Sequence, residues 1–240
     1  MAVLVTRPNE QGQALCQLLD AAGIPALHLP LLTMLPGKDF ASIKQNLANI
    51  DIVIAVSQHA VSYTQQALNG EWPSNTIYIA VGQKTAHTLG KFSQQYVHYP
   101  DVADSEHLLK INQLKHVVGK KIVILRGNGG RELIHSTLLE RGAQVSYLEA
   151  YKRENLTFDP DIEVLRWKNN HVTSVVITSL GQLNHFVSQL TQTKKEWVFK
   201  RQLFVPSQRI ASHAQRLGFL DVINTGSASN KDLLAALKPR

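Results

Sequence analysis

The internal repeat of this sequence restricts its possible folds more than any other feature. The two halves of the chain carry three similar segments in the same order. The aligned pairs are 3–32 with 122–151, 52–61 with 174–183, and 78–89 with 203–214. One such match could arise by coincidence, but three in the same order predict two halves of similar fold.

Apolar, β-branched runs alternate with amphipathic segments along the whole chain. The strand candidates are 2–6, 51–56, 76–81, 121–125, 174–178 and 202–205. The helix candidates are 9–22, 58–68, 83–92, 130–141, 180–190, 208–217 and 230–237. Continuous apolar runs are typical of parallel strands that are covered on both faces. The pattern therefore predicts an α/β protein with two doubly wound, flavodoxin-like parallel sheets.

Composition limits the cellular environment in which the protein can work and the partners that it can bind. No apolar run approaches the ~20 residues that a membrane span needs, and the start of the chain lacks the features of a signal peptide. Cys16 is the only cysteine, which excludes an internal disulfide. We therefore expect a cytoplasmic protein with no membrane partner. A monomer is also expected.

The formal net charge of +7 favours anionic partners. The only dense basic stretch is 193–201, which the sequence predicts as a solvated loop over a tucked Trp197. A nucleic-acid partner is therefore not expected.

Small, hydroxyl-bearing and basic residues follow the predicted strands. In an open parallel sheet the carboxyl ends of the strands line the ligand crevice, so these positions are candidate binding residues. They are Arg7, Ser57, Gly82, Lys84, Thr85, Arg126, Gly127, Gly129, Ser179, Ser207 and Arg209. These positions contain no paired carboxylates and no cluster of metal ligands, and the sequence has no HExxH motif, so a metal site is not predicted.

The stretch ILRGNGGREL, residues 124–133, runs from a strand through a glycine-rich turn into a helix candidate. A dinucleotide fingerprint would need a third glycine where Glu132 stands, and no Gly-Lys-Ser/Thr follows for a Walker A loop. The turn is therefore predicted to hold a simple anion such as a carboxylate, rather than a nucleotide.

The order and spacing of several motifs resemble the uroporphyrinogen-III synthase family over nearly the whole chain. The motifs are VTRP at residues 5–8, VSQHAV, AVGQKTAHTL, SEHLL, LRGNGGREL, RGA-x-V, AYKR and, near the end, S-x-R-x-A. The resemblance implies two α/β domains joined by a two-stranded linker. The implied ranges are 1–33 with 156–240 for domain one, 38–149 for domain two, and 29–37 and 148–155 for the linker strands.

The resemblance also implies a reaction. The family closes the linear tetrapyrrole hydroxymethylbilane to uroporphyrinogen III, with loss of water and inversion of the last pyrrole ring through a spiro intermediate, and it uses no cofactor. The substrate is a polyanion, which suits the basic positions above, and hydroxymethylbilane synthase is the implied donor. Tyr151, in the second predicted linker strand, is the implied proton donor, because a tyrosine hydroxyl stays protonated at neutral pH.

Other classes of function remain open on the residues alone. A two-lobed α/β module that closes on an anion without chemistry would share the same basic positions. A nucleotide-sugar glycosyltransferase would need a carboxylate for the ribose, and none follows the candidate glycines at a suitable place.

Overall fold

The computed structural model describes residues 2–238, apart from the side chain of Asn9, and shows sheets flanked by helices. The strands are β1 Ala2–Val5, β2 Ala26–His28, β3 Leu32–Pro36, β4 Ile52–Ala55, β5 Ile77–Ala80, β6 Val97–His98, β7 Lys121–Gly127, β8 Gln144–Asn155, β9 Val172–Val176, β10 Gln202–Val205 and β11 Asp221–Asn224. The α-helices are α1 Asn9–Ala21, α2 Ile43–Asn46, α3 Gln58–Leu68, α4 Gln83–Ser93, α5 Ser105–Leu108, α6 Leu133–Glu140, α7 Pro160–Asn169, α8 Leu180–Ser188, α9 Gln192–Val198, α10 Gln208–Leu217 and α11 Asn230–Leu237. Short 3₁₀ helices span Phe40–Ser42 and Asn112–Leu114.

The contacts divide the chain into two compact units. Unit 1 comprises Met1–Thr33 with Glu154–Arg240, and unit 2 comprises Met34–Arg153. Strands β3 and β8 overlap the two ranges that the sequence assigns to a linker. That assignment, and the domain boundaries that go with it, stay predictions.

Unit 1 contains a five-stranded sheet in the order β11-β10-β9-β1-β2, and every pair of neighbours is parallel. Both faces of β1 are buried. Leu4 packs in one core cluster with Trp167, whereas Val3 packs in another with Leu15. Burial on both faces explains why these strands are continuously apolar instead of alternating with polar residues.

Unit 2 contains a six-stranded sheet in the order β3-β8-β7-β4-β5-β6. Strands β7 and β8 occupy the places that β1 and β2 occupy in unit 1, as the aligned segments of the repeat require. In its own chain order unit 1 has the flavodoxin-like arrangement 2-1-3-4-5, and unit 2 is a circular permutation of it. The predicted fold class, two doubly wound α/β domains, is therefore confirmed.

Two segments differ from the sequence predictions. Helix α6 begins at Leu133 rather than at residue 130, since Gly129 and Gly130 have φ angles of 141° and 142°, which a helix cannot use. The stretch 193–201 was expected to be a loop, but most of it forms α9. Trp197 is half-buried there, with the Arg201 guanidinium 4.6 Å from its ring centre. Among residues 2–238, no helix combines the length and apolar composition needed to cross a bilayer.

Candidate active site

A cavity of about 230 Å³ lies at the carboxyl ends of β4, β5 and β7 in unit 2. We call it the basic pocket. Its lining includes Ser57, Ser105, Arg126, Gly127, Gly129, Gly130, Arg131, Tyr147, Tyr151 and Arg153. Three arginines and two tyrosines thus share one small cavity, at the edge of the sheet where α/β folds bind their ligands.

A β-bulge places Tyr151 in this pocket. The register between β7 and β8 shifts so that Arg126 pairs with Glu149 but Gly127 pairs with Tyr151, which leaves Ala150 as the extra residue. Ala150 and Tyr151 consequently both join the core cluster that contains Leu148. Strict alternation would have sent Tyr151 to the opposite face, because neighbouring side chains on a strand point to opposite sides.

The segment after β3 supports the bulge. The N–H of Gly37 donates to Ala150 O at 3.0 Å, and Asp39 Oδ2 accepts from the N–H of Glu149 at 2.8 Å. The approach is so close that a Cβ on Gly37 would lie 1.8 Å from Glu149 O. A residue with a side chain would not fit at position 37, so Gly37 is required for the backbone conformation that directs Tyr151 into the pocket.

The Tyr151 hydroxyl oxygen accepts two hydrogen bonds. Ser57 Oγ and Arg153 Nη2 each donate to it at 3.3 Å. Both contacts use lone pairs of the oxygen and leave its proton for a ligand in the pocket. The ring is only 2% exposed, and it stacks on Tyr63 with 5.9 Å between ring centres. A buried ring and a bonded oxygen hold the hydroxyl at a defined place.

Arg126 is nearly buried, with a side chain that is 7% exposed. Its guanidinium lies 4.2 Å from the ring centre of Tyr147, and its Nη1 donates to Glu132 Oε1 at 3.1 Å. The Tyr147 hydroxyl donates to the other carboxylate oxygen, Glu132 Oε2, at 2.5 Å. Burial, together with the hydrogen bond to the ionised Glu132, raises the pKa of Tyr147 to about 12. The hydrogen bonds from Tyr147 and Arg126 lower the pKa of Glu132, so this carboxylate is ionised at neutral pH.

The glycine-rich turn, which is predicted to hold an anion, lines the pocket and also makes contacts of its own. The N–H of Gly129 donates to Gly127 O at 2.8 Å, and α6 begins three residues after Gly130. The Asn128 side chain binds the backbone of Arg153 through both its oxygen (2.7 Å) and its nitrogen (3.2 Å). The turn therefore positions arginine side chains around the pocket.

A second, more open depression of about 560 Å³ lies at the start of α4 in unit 2. It contains the predicted residues Gly82, Lys84 and Thr85, and it shares Val81 with the basic pocket. Lys84 is exposed, whereas Thr85 is buried. The two neighbouring depressions of unit 2 thus contain seven of the predicted binding residues. Ser57, Arg126, Gly127 and Gly129 line the basic pocket, and Gly82, Lys84 and Thr85 line the second depression.

The remaining predicted residues lie in unit 1. Ser179 caps α8, since its Oγ accepts from the N–H of Gln182 at 3.2 Å. Ser207 stands at the N-cap of α10 without a side-chain cap bond, and Arg209 is exposed in the first turn of that helix.

Arg7 is buried, and both terminal nitrogens of its guanidinium are hydrogen-bonded inside unit 1, whereas its Nε has no hydrogen-bond partner among the described residues. The guanidinium donates to Ala228 O and Asn230 Oδ1, both at 2.5 Å, and to Gln11 Oε1 at 2.6 Å. These bonds tie the end of β1 to the start of α11, which is a structural role.

The sequence analysis missed several residues of the site, among them Gly37, Arg131, Glu132, Tyr147 and Arg153. Arg153 had a usable signal, because residues two apart on a strand share a face and Tyr151 was already a candidate. Glu132 was noted only as a missing glycine. The positions of Gly37 and Tyr147 depend on a β-bulge and on strand pairings between residues far apart in the chain, which no local sequence pattern predicts.

The basic pocket can bind a carboxylate and donate a proton. Its three arginines carry charge that suits an anion, and the Tyr151 hydroxyl is a group that can donate a proton. Within residues 2–238, no group of three or more His, Cys, Asp or Glu side chains is placed to hold a metal ion.

Comparison with known proteins gives consistent matches. The family model described as "Uroporphyrinogen-III synthase HemD" matches residues 13–235. Uroporphyrinogen-III synthase of Escherichia coli K12 is 39% identical over 246 residues, which cover 99% of this chain and 100% of that protein. The enzyme of the same name from Salmonella typhimurium is 38% identical, with the same coverage of both chains.

Solved structures show the same fold at low sequence identity. A mutant uroporphyrinogen III synthase from Thermus thermophilus superposes with a TM-score of 0.60 and 14% identity, covering 98% of this chain and 97% of the other. Uroporphyrinogen-III synthetase from Helicobacter pylori 26695 gives a TM-score of 0.59 and 14% identity, covering 99% and 100%.

Proposed function

We propose how this chain, which belongs to the uroporphyrinogen-III synthase family, carries out the reaction of that family. The enzyme is a cyclising hydro-lyase of porphyrin and haem biosynthesis, and it converts hydroxymethylbilane into uroporphyrinogen III. The observation that supports the site is the Tyr151 hydroxyl, which accepts hydrogen bonds from Ser57 and Arg153 in a pocket lined by three arginines.

The substrate carries eight carboxylates and a hydroxymethyl group at one end. We place one carboxylate in the basic pocket, against Arg126 and the turn at Gly127 and Gly129. Gly82, Lys84 and Thr85 are proposed to hold a second, and Ser179, Ser207 and Arg209 are proposed anchors in unit 1. Arg7 is left out of this set, because its buried guanidinium is already hydrogen-bonded.

Tyr151 is the proposed acid for the loss of water. Its proton goes to the hydroxymethyl oxygen, the C–O bond breaks with its electron pair on that oxygen, and water leaves. The pyrrole nitrogen supplies electron density to the carbon that remains. Ser57 and Arg153 then stabilise the Tyr151 phenolate, the second of them as a cation.

The carbon that lost water then bonds to the substituted α-carbon of the last pyrrole, which still carries its original bridge, and this gives the spiro intermediate. The bond from that α-carbon to its original bridge breaks, and the released bridge carbon bonds to the unsubstituted α-carbon on the other side of the pyrrole nitrogen, which inverts the ring. The rearranged macrocycle loses one proton when its aromaticity is restored, and this proton returns Tyr151 to its starting state. The bilane closes spontaneously to the wrong isomer, so the main task of the protein is to hold the reacting conformation. These steps use no metal ion or organic cofactor.

A coupled assay tests the proposal. Porphobilinogen deaminase supplies hydroxymethylbilane, and the oxidised products are separated by chromatography. We expect mostly type III isomer, and a Tyr151→Phe variant that folds normally but turns over about 10²–10⁴-fold more slowly. Tyr96→Phe is the matched control, because Tyr96 is 77% exposed in the same unit.

An unchanged rate in Tyr151→Phe would remove Tyr151 from the mechanism. Formation of type I isomer alone by the folded wild-type protein would contradict the synthase reaction and would favour an anion-binding module without chemistry.

The setting of the enzyme is also part of the proposal. We expect a cytoplasmic monomer that receives its substrate from hydroxymethylbilane synthase and binds neither membranes nor nucleic acid. Rapid transfer would protect a substrate that cyclises wrongly in free solution. The mass of the purified chain in solution, with and without that synthase, tests both the oligomeric state and a stable complex.

A further inference from the structure

An acidic residue lies beside a pocket that must attract a polyanion. The Glu132 carboxylate is ionised and bonded to Arg126, the most buried of the three arginines that line the basic pocket. If it acted only as a charge, Glu132 would weaken substrate binding. Its position therefore needs an explanation other than electrostatic attraction.

Helix capping does not explain Glu132. The residue stands at the N-cap position of α6, where acidic side chains commonly accept from free backbone N–H groups. Its side chain makes no cap bond there. Both carboxylate oxygens are used elsewhere, Oε1 by Arg126 and Oε2 by the Tyr147 hydroxyl.

The contacts of Arg126 restrict its guanidinium from several sides. The Tyr147 ring lies 4.2 Å away, and His135 stacks on that ring with 4.5 Å between ring centres. A Cβ on Gly130 would lie 3.1 Å from Nη2. Glu132 takes one of the five guanidinium N–H groups, and the Arg126 side chain lines the pocket, so further donors are available to an anion.

We propose that Glu132 and Tyr147 are positioning residues, which hold the Arg126 guanidinium in the orientation that binds a substrate carboxylate. This inference rests on the proposed function. A nearly buried arginine with a fixed planar fork suits two-point recognition of a carboxylate. Because the contacts with Glu132 and Tyr147 order Arg126 before the substrate arrives, binding costs less conformational entropy.

Two variants test the proposal by the sign of their effect on KM. Glu132→Gln removes a negative charge, so a simple electrostatic effect predicts a lower KM for the polyanionic substrate. Glutamine keeps only one of the two acceptor oxygens and makes no charge-assisted hydrogen bond, so weakened positioning predicts the opposite, a KM raised roughly 5- to 20-fold with kcat changed less than about 3-fold. Tyr147→Phe keeps the aromatic ring against Arg126 and leaves the net charge unchanged, and it removes only the hydroxyl that hydrogen-bonds to Glu132. The KM of this variant should also rise.

Control variants separate this effect from general changes in charge and fold. Glu140→Gln makes the same charge change at the exposed end of α6 and should leave KM and kcat unchanged. Arg126→Lys should raise KM at least as much as Glu132→Gln, since lysine cannot form the planar fork. Melting temperatures of all variants are measured in parallel, and each should stay close to that of the wild type.

A lower KM in Glu132→Gln, or an unchanged KM in Tyr147→Phe, overturns the proposal. Neither outcome affects the proposed function, which depends on the isomer that the wild-type protein forms and on Tyr151→Phe. Conversely, a wild-type protein that yields only type I isomer contradicts the proposed function itself.

Discussion

Gly127→Ala is the substitution whose effect follows most directly from the geometry of the site. A Cβ at this position would lie 2.7 Å from Cζ of Tyr151 and 2.9 and 3.0 Å from Cε2 and Cε1. Favourable contact between carbon atoms begins at about 3.5 Å, so the ring must move by roughly 0.8 Å. Tyr151 is 2% exposed and packed against Tyr63, so this movement disturbs the surrounding core.

The expected cost follows from two opposing terms. Overpacking a core destabilises a protein by about 1–3 kcal/mol. Replacing glycine by alanine stabilises the folded state by about 0.4–1 kcal/mol, because alanine lowers the conformational entropy of the unfolded chain. A net loss of roughly 1–2 kcal/mol corresponds to a fall in melting temperature of about 2–8 °C for a chain of this size. Displacement of the hydroxyl by nearly 1 Å should also lower the rate by about 10²-fold.

Differential scanning calorimetry and the coupled assay measure the two effects. Gly181→Ala is the matched control, since nothing lies within 4 Å of a Cβ at this position in α8. Combining Gly127→Ala with Tyr151→Leu should remove most of the added cost, because a smaller side chain relieves the contact. Wild-type stability and turnover in Gly127→Ala would show that the ring has space to move, and the argument that Gly127 fixes Tyr151 would be wrong.

Two further predictions concern residues outside the basic pocket. Arg7→Met should lower the free energy of unfolding by about 1–3 kcal/mol, because it leaves the oxygens of Gln11, Ala228 and Asn230 without their donor. Urea denaturation measures this loss. A raised KM with unchanged stability would instead show that Arg7 binds the substrate. Burial, and secondarily Asp20, raises the pKa of Cys16 to about 11, so its thiol stays neutral at pH 8. The Cys16 thiol of the folded protein should therefore react with a disulfide reagent about tenfold more slowly than an ordinary thiol, because the lower thiolate fraction outweighs the higher nucleophilicity of the thiolate. Equal rates at pH 8 would contradict this protection.

The parts of the fold that local pattern determines were predictable. The core strands β1, β4, β5, β7, β9 and β10 are apolar on both faces, and their sequences show it directly. Helix α9 was not recognised because its charged residues resemble those of a solvated loop. Its stability depends on packing, in which Val198 is buried and Trp197 covers part of the core.

The candidate site was predictable in composition but not in arrangement. Ser57, Arg126 and Tyr151 were identified from the ends of strands and from family resemblance, and the structure brings them to one pocket. Their arrangement depends on the bulge at Ala150, which is backed by Gly37, more than a hundred residues earlier in the chain. Such a long-range contact leaves no periodicity in the sequence.

Unit 2 lies in the chain between the two segments of unit 1, and this affects the order in which strands can pair during synthesis. Unit 2 is continuous, so its strands can pair as soon as they leave the ribosome. Strand β1 can pair with the short β2 early. Its other neighbour, β9, lies 170 residues later in the chain and is available only after those residues have been synthesised. At about 5–20 residues per second this takes roughly 10–35 s, during which one edge of an apolar central strand has no partner. Strand β1 is therefore made before all of unit 2 but gains its second neighbour only after unit 2 is complete, so it is a segment of the nascent chain that a chaperone would protect.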